Sequence, residues 1–150
     1  MYSKFQNKFL TADNQKRAFI NTQKIKTLWF NTGTLCNLAC KGCYIDSSPK
    51  NDRLAYLSID EFKSFVNESI QNKMGTEQIG FTGGEPFMNR DIFKMIKYSL
   101  ENDFKTLVLT NAMKPMLNNK SDLFKLNHLN LTIRVSIDHY SKEKHEQIRG

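Results

Sequence analysis

The sequence predicts an α/β fold built on a parallel sheet, and three observations carry that prediction. Short β-forming runs alternate with stretches whose apolar residues recur at helical spacing. One of the runs, Lys105 to Leu109, is continuous and β-rich, as a strand buried on both faces should be. Each run ends in a polar cluster. Repeated βα units of this kind imply right-handed crossovers with helices outside the sheet, and ligands bind at the C-terminal edge of such strands.

In chain order, residues 1 to 26 alternate poorly and read as a loose leader, with a short strand at Ala18 to Ile20. Thr27 to Phe30, TLWF, is the first strand proper, and Asn31-Thr32-Gly33 ends it with turn chemistry. Trp29 and Phe30 are read as core residues. A polar loop follows, and its stretch from Asp46 to Leu57, with Asp52 and Arg53, is the candidate lid or substrate contact. Ser58 and Glu61 then form a capping box, and Ile59, Phe62, Phe65, Val66, Ser69 and Ile70 predict a helix running to Lys73, stopped by Gly75.

Gln78 to Thr82, QIGFT, is the second strand, left through Gly83-Gly84-Glu85-Pro86. Asn89 is placed to cap a helix whose apolar set is Ile92, Phe93, Met95, Ile96 and Leu100. The third strand, Lys105 to Leu109, ends in Thr110-Asn111. Pro115 to Leu129 reads as a shorter helix with Leu123, Phe124, Leu126 and Leu129 as its apolar side. The fourth strand, Leu131 to Ile137, leads to Asp138-His139-Tyr140, and a last helix opens at Ser141.

A chain of 150 residues, 39% apolar and 25% charged, holds one domain with a real core. It has no run of eighteen apolar residues and no secretory signal at its start, so no membrane span and a cytoplasmic setting are expected. The net charge is +7. Much of it sits in the leader, where Lys4, Lys8, Lys16, Arg17, Lys24 and Lys26 face the single acid Asp13. RNA is one partner such a leader would suit, and a solvated lysine-rich segment is the favoured reading.

All three cysteines, Cys36, Cys40 and Cys43, fall between the first strand and the loop, spaced CxxxCxxC. In a reducing compartment they are available to iron or zinc. Three thiolates do not close a structural site. On a four-iron cluster they would leave one iron open for a small molecule. A zinc site completed by His139 is the competing arrangement, and a non-catalytic zinc or iron–sulfur module the competing function. His139 and His145 are read as turn and surface-helix residues rather than as acid or base.

Cys36, Cys40 and Cys43 after the first strand, and Gly83-Gly84-Glu85-Pro86 after the second, together resemble the radical S-adenosylmethionine (radical SAM) enzymes. That resemblance implies a partial (β/α)6 TIM-like barrel, of which about four βα units are visible. Six units need roughly 190 residues by the proportions of an eight-unit barrel. Residues 27 to 150 are accordingly read as the N-terminal portion of a radical SAM core, truncated at the fourth helix: a fragment, a shortened product or half of a split assembly.

The resemblance further implies that the three thiolates hold a [4Fe-4S] cluster and that S-adenosylmethionine binds its open iron. Backbone groups at Gly83 and Gly84, in a turn ordered by Glu85 and Pro86, would meet the methionine end. Ser136 or Asp138 would reach the ribose, Asn111 the substrate or methionine side, and Arg149 the cofactor carboxylate. The absence of Cβ atoms at the glycine pair would let the ligand amine approach. Amides such as those of Asn37 and Lys41 would tune the cluster by hydrogen bonding. Reductive cleavage would give a 5'-deoxyadenosyl radical that takes hydrogen from a small-molecule or peptide substrate, the electron coming from a reductant such as flavodoxin or ferredoxin. Relatives place an aromatic residue before the third cysteine to lie on the adenine. Here Gly42 stands there and Tyr44 follows, so stacking from this loop is not expected; a contact of Tyr44 with the adenine from another angle and a core role for its ring are the two readings left open.

Overall fold

Four strands, β1 (Thr27–Asn31), β2 (Gln78–Thr82), β3 (Lys105–Thr110) and β4 (Leu131–Val135), lie side by side in that order, and every neighbouring pair is parallel. The computed structural model describes residues 7–21 and 24–149. Helices α1 (Ile59–Gln71), α2 (Ile92–Glu101), α3 (Lys114–Leu117), α4 (Lys120–Leu126) and α5 (Lys142–Arg149) alternate with the strands. The chain is thus four βα units of a partial barrel, with the third crossover made by two short helices. Among the described residues no helix is long and apolar enough to cross a membrane.

Side-chain alternation sorts the sheet into two faces. Phe30, Ile79, Phe81 and Val108 point to one side and meet Phe62, Val66, Ile92, Met95 and Ile96 of the helices in a single core cluster. Phe62 is its centre, with ring centroids 4.7 Å from Phe30 and 5.4 Å from Phe81. Helix α1 starts as its sequence demands: Ser58 Oγ accepts from the Glu61 N–H, and the Glu61 carboxylate accepts from the Ser58 N–H at 2.9 Å.

Several expectations need correction. Trp29 belongs to the opposite face of the sheet from Phe30 and is half exposed, its ring spread over Gly80. A Cβ on Gly80 would come within 2.4 Å of that ring, which explains a glycine in mid-strand. Phe65 and Ile70 lie on α1 but at its exposed margin, because the helical stripe is wider than the surface the sheet offers. Residues Ala18 to Ile20 form no strand; the leader instead makes an isolated antiparallel bridge between Leu10 and Lys16, while Lys4 lies outside the described residues.

Asn89 does not cap α2 directly. The cap residue is Asp91, whose own N–H is held by Asn89 Oδ1 at 2.8 Å, and the Asn89 amide is buried, donating to the carbonyls of Thr32 and Leu57. The helix expected over Pro115 to Leu129 is two pieces, broken at Asn118-Asn119, and Phe124 and Leu129 are exposed because no neighbouring layer covers them. Strand β4 stops at Val135 rather than Ile137.

The contrast between Phe62 and Phe65 is testable by urea denaturation. Phe62→Ala should cost about 3–5 kcal/mol of unfolding free energy. Phe65→Ala, from a side chain more than half exposed, should cost less than about 1.5 kcal/mol.

Candidate active site

The C-terminal ends of the four strands open into one cleft of about 330 Å³. Its walls are the cysteine loop (Cys36, Cys40, Cys43), the glycine turn (Gly83, Gly84), the end of β3 (Thr110, Asn111) and the segment after β4 (Ser136, Asp138), with Ile148 and Arg149 of α5 on the far side. Nine of the residues expected from the sequence therefore share one space: the three cysteines, Gly83, Gly84, Asn111, Ser136, Asp138 and Arg149. Glu85 and Pro86 stand beneath it, both buried.

The cysteine loop is pinned from two sides. Its first cysteine donates its N–H to the Ser48 carbonyl at 3.2 Å, and turns close through Cys43 N–H to Cys40 O and Asp46 N–H to Cys43 O. Asp46 takes φ 53° to make the second of these turns. Against the other side lies the glycine turn: Gly84 N–H donates to Gly33 O at 2.8 Å and Glu85 N–H to Leu35 O at 3.1 Å. A Cβ on Gly84 would fall 2.1 Å from the Leu35 carbonyl oxygen. The room left by the missing side chain is thus filled by the cysteine loop itself, not kept for a ligand. Gly83, at φ 138°, adopts a conformation that strains any other residue.

Glu85 reaches away from the cleft and latches β2 to β3. Its carboxylate accepts from Phe87 N–H at 3.2 Å, Thr110 Oγ1 at 2.8 Å and Asn111 N–H at 2.9 Å. Burial pushes this carboxyl above the ordinary carboxylate range, and the donors from Asn111, Thr110 and Phe87 pull it part of the way back. It also begins the 3-10 turn Pro86–Met88, where its side chain accepts from the Phe87 N–H as the cap.

Hydrogen bonds to sulfur come from two residues the sequence did not single out, Leu38 and Ser47, and from Asn111, expected in the site for a different role. Leu38 N–H lies 3.4 Å from Cys36 Sγ, Ser47 N–H 3.3 Å from Cys43 Sγ, and the Asn111 amide nitrogen 3.7 Å from Cys36 Sγ. Among the described residues the amides of Asn37 and Lys41 make no bond to a cysteine sulfur, and the Asn37 side chain accepts from the Asn111 amide at 3.0 Å. Burial raises the Cys36 thiol above its usual range, opposed by Leu38 N–H and reinforced by the Glu85 carboxylate and the other two thiols.

All three cysteines are free thiols. Among the described residues, no three Cys, His, Asp or Glu side chains converge as they would on one ion. A tetrahedral zinc with 2.3 Å bonds asks for sulfurs about 3.8 Å apart. A four-iron cluster asks for less convergence, since each thiolate takes a different iron. The donor set, three thiols on one loop at the mouth of a strand-end cleft, fits such a cluster chemically. His139 is outside the lining: its Nδ1 accepts from Ser141 N–H at 2.9 Å and its ring stacks on Tyr140.

Tyr44 is not a core residue; it lines the cleft. The side chain is 79% exposed and its hydroxyl pairs with Thr82 Oγ1 across the cleft at 3.2 Å. Arg149 and Asp138 form an ion pair on the opposite wall. In the loop after the cysteines, Leu54 N–H donates to Thr34 Oγ1 and Tyr56 packs on Gly33, while Asp52 and Arg53 face outward.

A parallel strand-end cleft with a three-cysteine loop on one wall and a Gly-Gly-Glu turn on the next defines a class of α/β barrel enzymes. The sequence model of the Radical SAM superfamily matches residues 30–150, and the chain belongs to that superfamily. It is 32% identical over 115 residues to the antilisterial bacteriocin subtilosin biosynthesis protein AlbA of Bacillus subtilis, covering 77% of this chain and 25% of that protein. It is also 32% identical over 85 residues to an S-adenosylmethionine-dependent nucleotide dehydratase of Selenomonas ruminantium, covering 57% and 29%. Among solved structures, Streptococcus suis SuiB bound to S-adenosylmethionine superposes with a TM-score of 0.71 at 21% identity, over 85% of this chain and 28% of that one. BtrN in complex with AdoMet and 2-DOIA superposes at 0.60 with 16% identity, over 84% and 51%. The chain spans about a quarter to a third of the length of these curated relatives.

The Glu85 latch predicts a pH signature. Because its folded pKa is raised, the stability it contributes is full below the unfolded value near 4.5 and is lost as pH rises through the folded value. Urea denaturation of the chain from pH 4.5 upward should show that loss, and Glu85→Gln should lack it. At pH 7 the same variant should be less stable by about 1–3 kcal/mol, since its amide nitrogen meets the Asn111 N–H donor to donor.

Proposed function

We propose that the chain carries the cluster-binding half of a radical SAM active site, with Cys36, Cys40 and Cys43 holding a [4Fe-4S] cluster and the cleft receiving S-adenosylmethionine. The observation that carries this reading is the meeting of the cysteine loop and the glycine turn in one strand-end cleft, backbone against backbone. When bound, the cluster and cofactor supply a one-electron reductive cleavage that leaves a radical able to take hydrogen from a substrate.

The chain's own residues position and shield. Gly83 and Gly84 present main-chain groups to the methionine end, with Glu85 and Pro86 fixing their turn from below. Asn111 and Ser136 line the floor. Asp138 is offered to the ribose and Arg149 to the cofactor carboxylate. The two roles coexist with their ion pair, because a guanidinium engaged by one carboxylate keeps further donors for a second. The whole protein is read as a six-unit barrel in a cytoplasmic setting, reduced by a flavodoxin or ferredoxin.

A peptide is the substrate class we favour over a small molecule. Two likenesses support it, one to a bacteriocin biosynthesis protein and one to SuiB, whose structure was also solved with the precursor peptide SuiA. Stimulation of cofactor cleavage by short peptides, and not by nucleotides, is the expected behaviour. Stimulation by nucleotides alone would contradict it.

Anaerobic reconstitution tests the central reading. The protein should bind about four irons with matching sulfide, turn brown, and release 5'-deoxyadenosine from S-adenosylmethionine under reduction. Cys40→Ala should abolish that release. One zinc per chain without colour would identify a structural metal module instead.

A further inference from the structure

Ser47 is a cleft residue that neither motif contains. It is 5% exposed, and its hydroxyl oxygen is buried with no hydrogen-bond partner among the described residues. A buried hydroxyl in that condition costs free energy, and native folds rarely leave one without a reason.

Its surroundings suggest the reason. The Ser47 N–H already donates to Cys43 Sγ at 3.3 Å, and the next residue, Ser48, takes the Cys36 N–H on its carbonyl. Ser47 is therefore clamped between two of the three cysteines, and it lines the same cleft as all of them. Its hydroxyl belongs to the residue whose amide touches the sulfur, and it has no acceptor of its own among the described residues. A hydroxyl proton rotates freely to whatever acceptor arrives, and sulfur is one.

We propose that Ser47 is a positioning residue for the metal site: its hydroxyl donates a hydrogen bond to the sulfur of the group held by Cys43, completing a donor pair with its own amide. This rests on the iron–sulfur reading above. A donor at sulfur withdraws electron density and favours the more negative, reduced state, so it raises the reduction potential. The Asn111 amide near Cys36 Sγ performs the matching task on the other flank of the loop.

The test compares Ser47→Thr with Ser47→Val, side chains of one shape with and without the hydroxyl, in protein reconstituted anaerobically. Iron and sulfide content and an EPR-monitored redox titration are read for each. The Thr variant should keep the wild-type potential and the Val variant should shift to a more negative one, or lose the cluster that Thr retains. Equal potentials in Thr and Val would overturn the inference while leaving the iron–sulfur reading intact. A wild-type protein that takes up no iron would overturn both. Should the added methyl prevent loading in both variants, Ser47→Ala decides: a wild-type potential refutes the role, and a negative shift or lost loading supports it.

Discussion

The constraint on which the site depends is a backbone contact with no side chain between its partners. Gly84 lies so close to the Leu35 carbonyl that a single added carbon would collide with it. Two main-chain hydrogen bonds, from Gly84 to Gly33 and from Glu85 to Leu35, stitch the loop after β1 to the loop after β2. The cysteines begin one residue beyond that seam. Their position over the sheet edge is therefore inherited from the glycine turn, and the two motifs, far apart in sequence, act as one structural unit.

Below the seam, a buried carboxylate extends the coupling to a third strand. Glu85 gathers donors from its own turn and from the end of β3, which sets Asn111 with its amide toward Cys36. Ionising a buried acid is unfavourable, and three well-placed donors are the arrangement that offsets it. Rigidity follows from this network. The first three walls of the cleft are tied to one another by bonds that run from loop to loop, while the β4 side is held by the Ser136 N–H on the Thr110 carbonyl, the Asp138 N–H on His145 Nδ1 and the side-chain pair of Asp138 and Arg149.

Much of the architecture was legible because alternation and capping are local. The second strand and the capping box at Ser58 and Glu61 follow from residues within one turn of each other. Trp29 shows the limit of such patterns: alternation separates it from Phe30 without saying which of the two faces receives helices. The segment after β3 shows another, since its leucines fit one helix until two adjacent asparagines serve as the end of α3 and the start of α4. In the cleft, the cysteines and glycines announce themselves by spacing, but the donors to sulfur do not. Whether Leu38, Ser47 or Asn37 points an N–H at a thiol depends on turns such as the one at Asp46, whose positive φ no composition reveals. The buried hydroxyl of Ser47 left no trace in the sequence at all.

What these contacts hold in place, on the proposed reading, is a metal group deliberately left one protein ligand short. The most direct measurement of that is the EPR spectrum of the reduced, anaerobically reconstituted protein before and after adding S-adenosylmethionine. A change in the cluster signal on addition is predicted, because the cofactor would occupy the iron that no cysteine reaches. A well-formed cluster signal that the cofactor leaves unaltered would contradict the account.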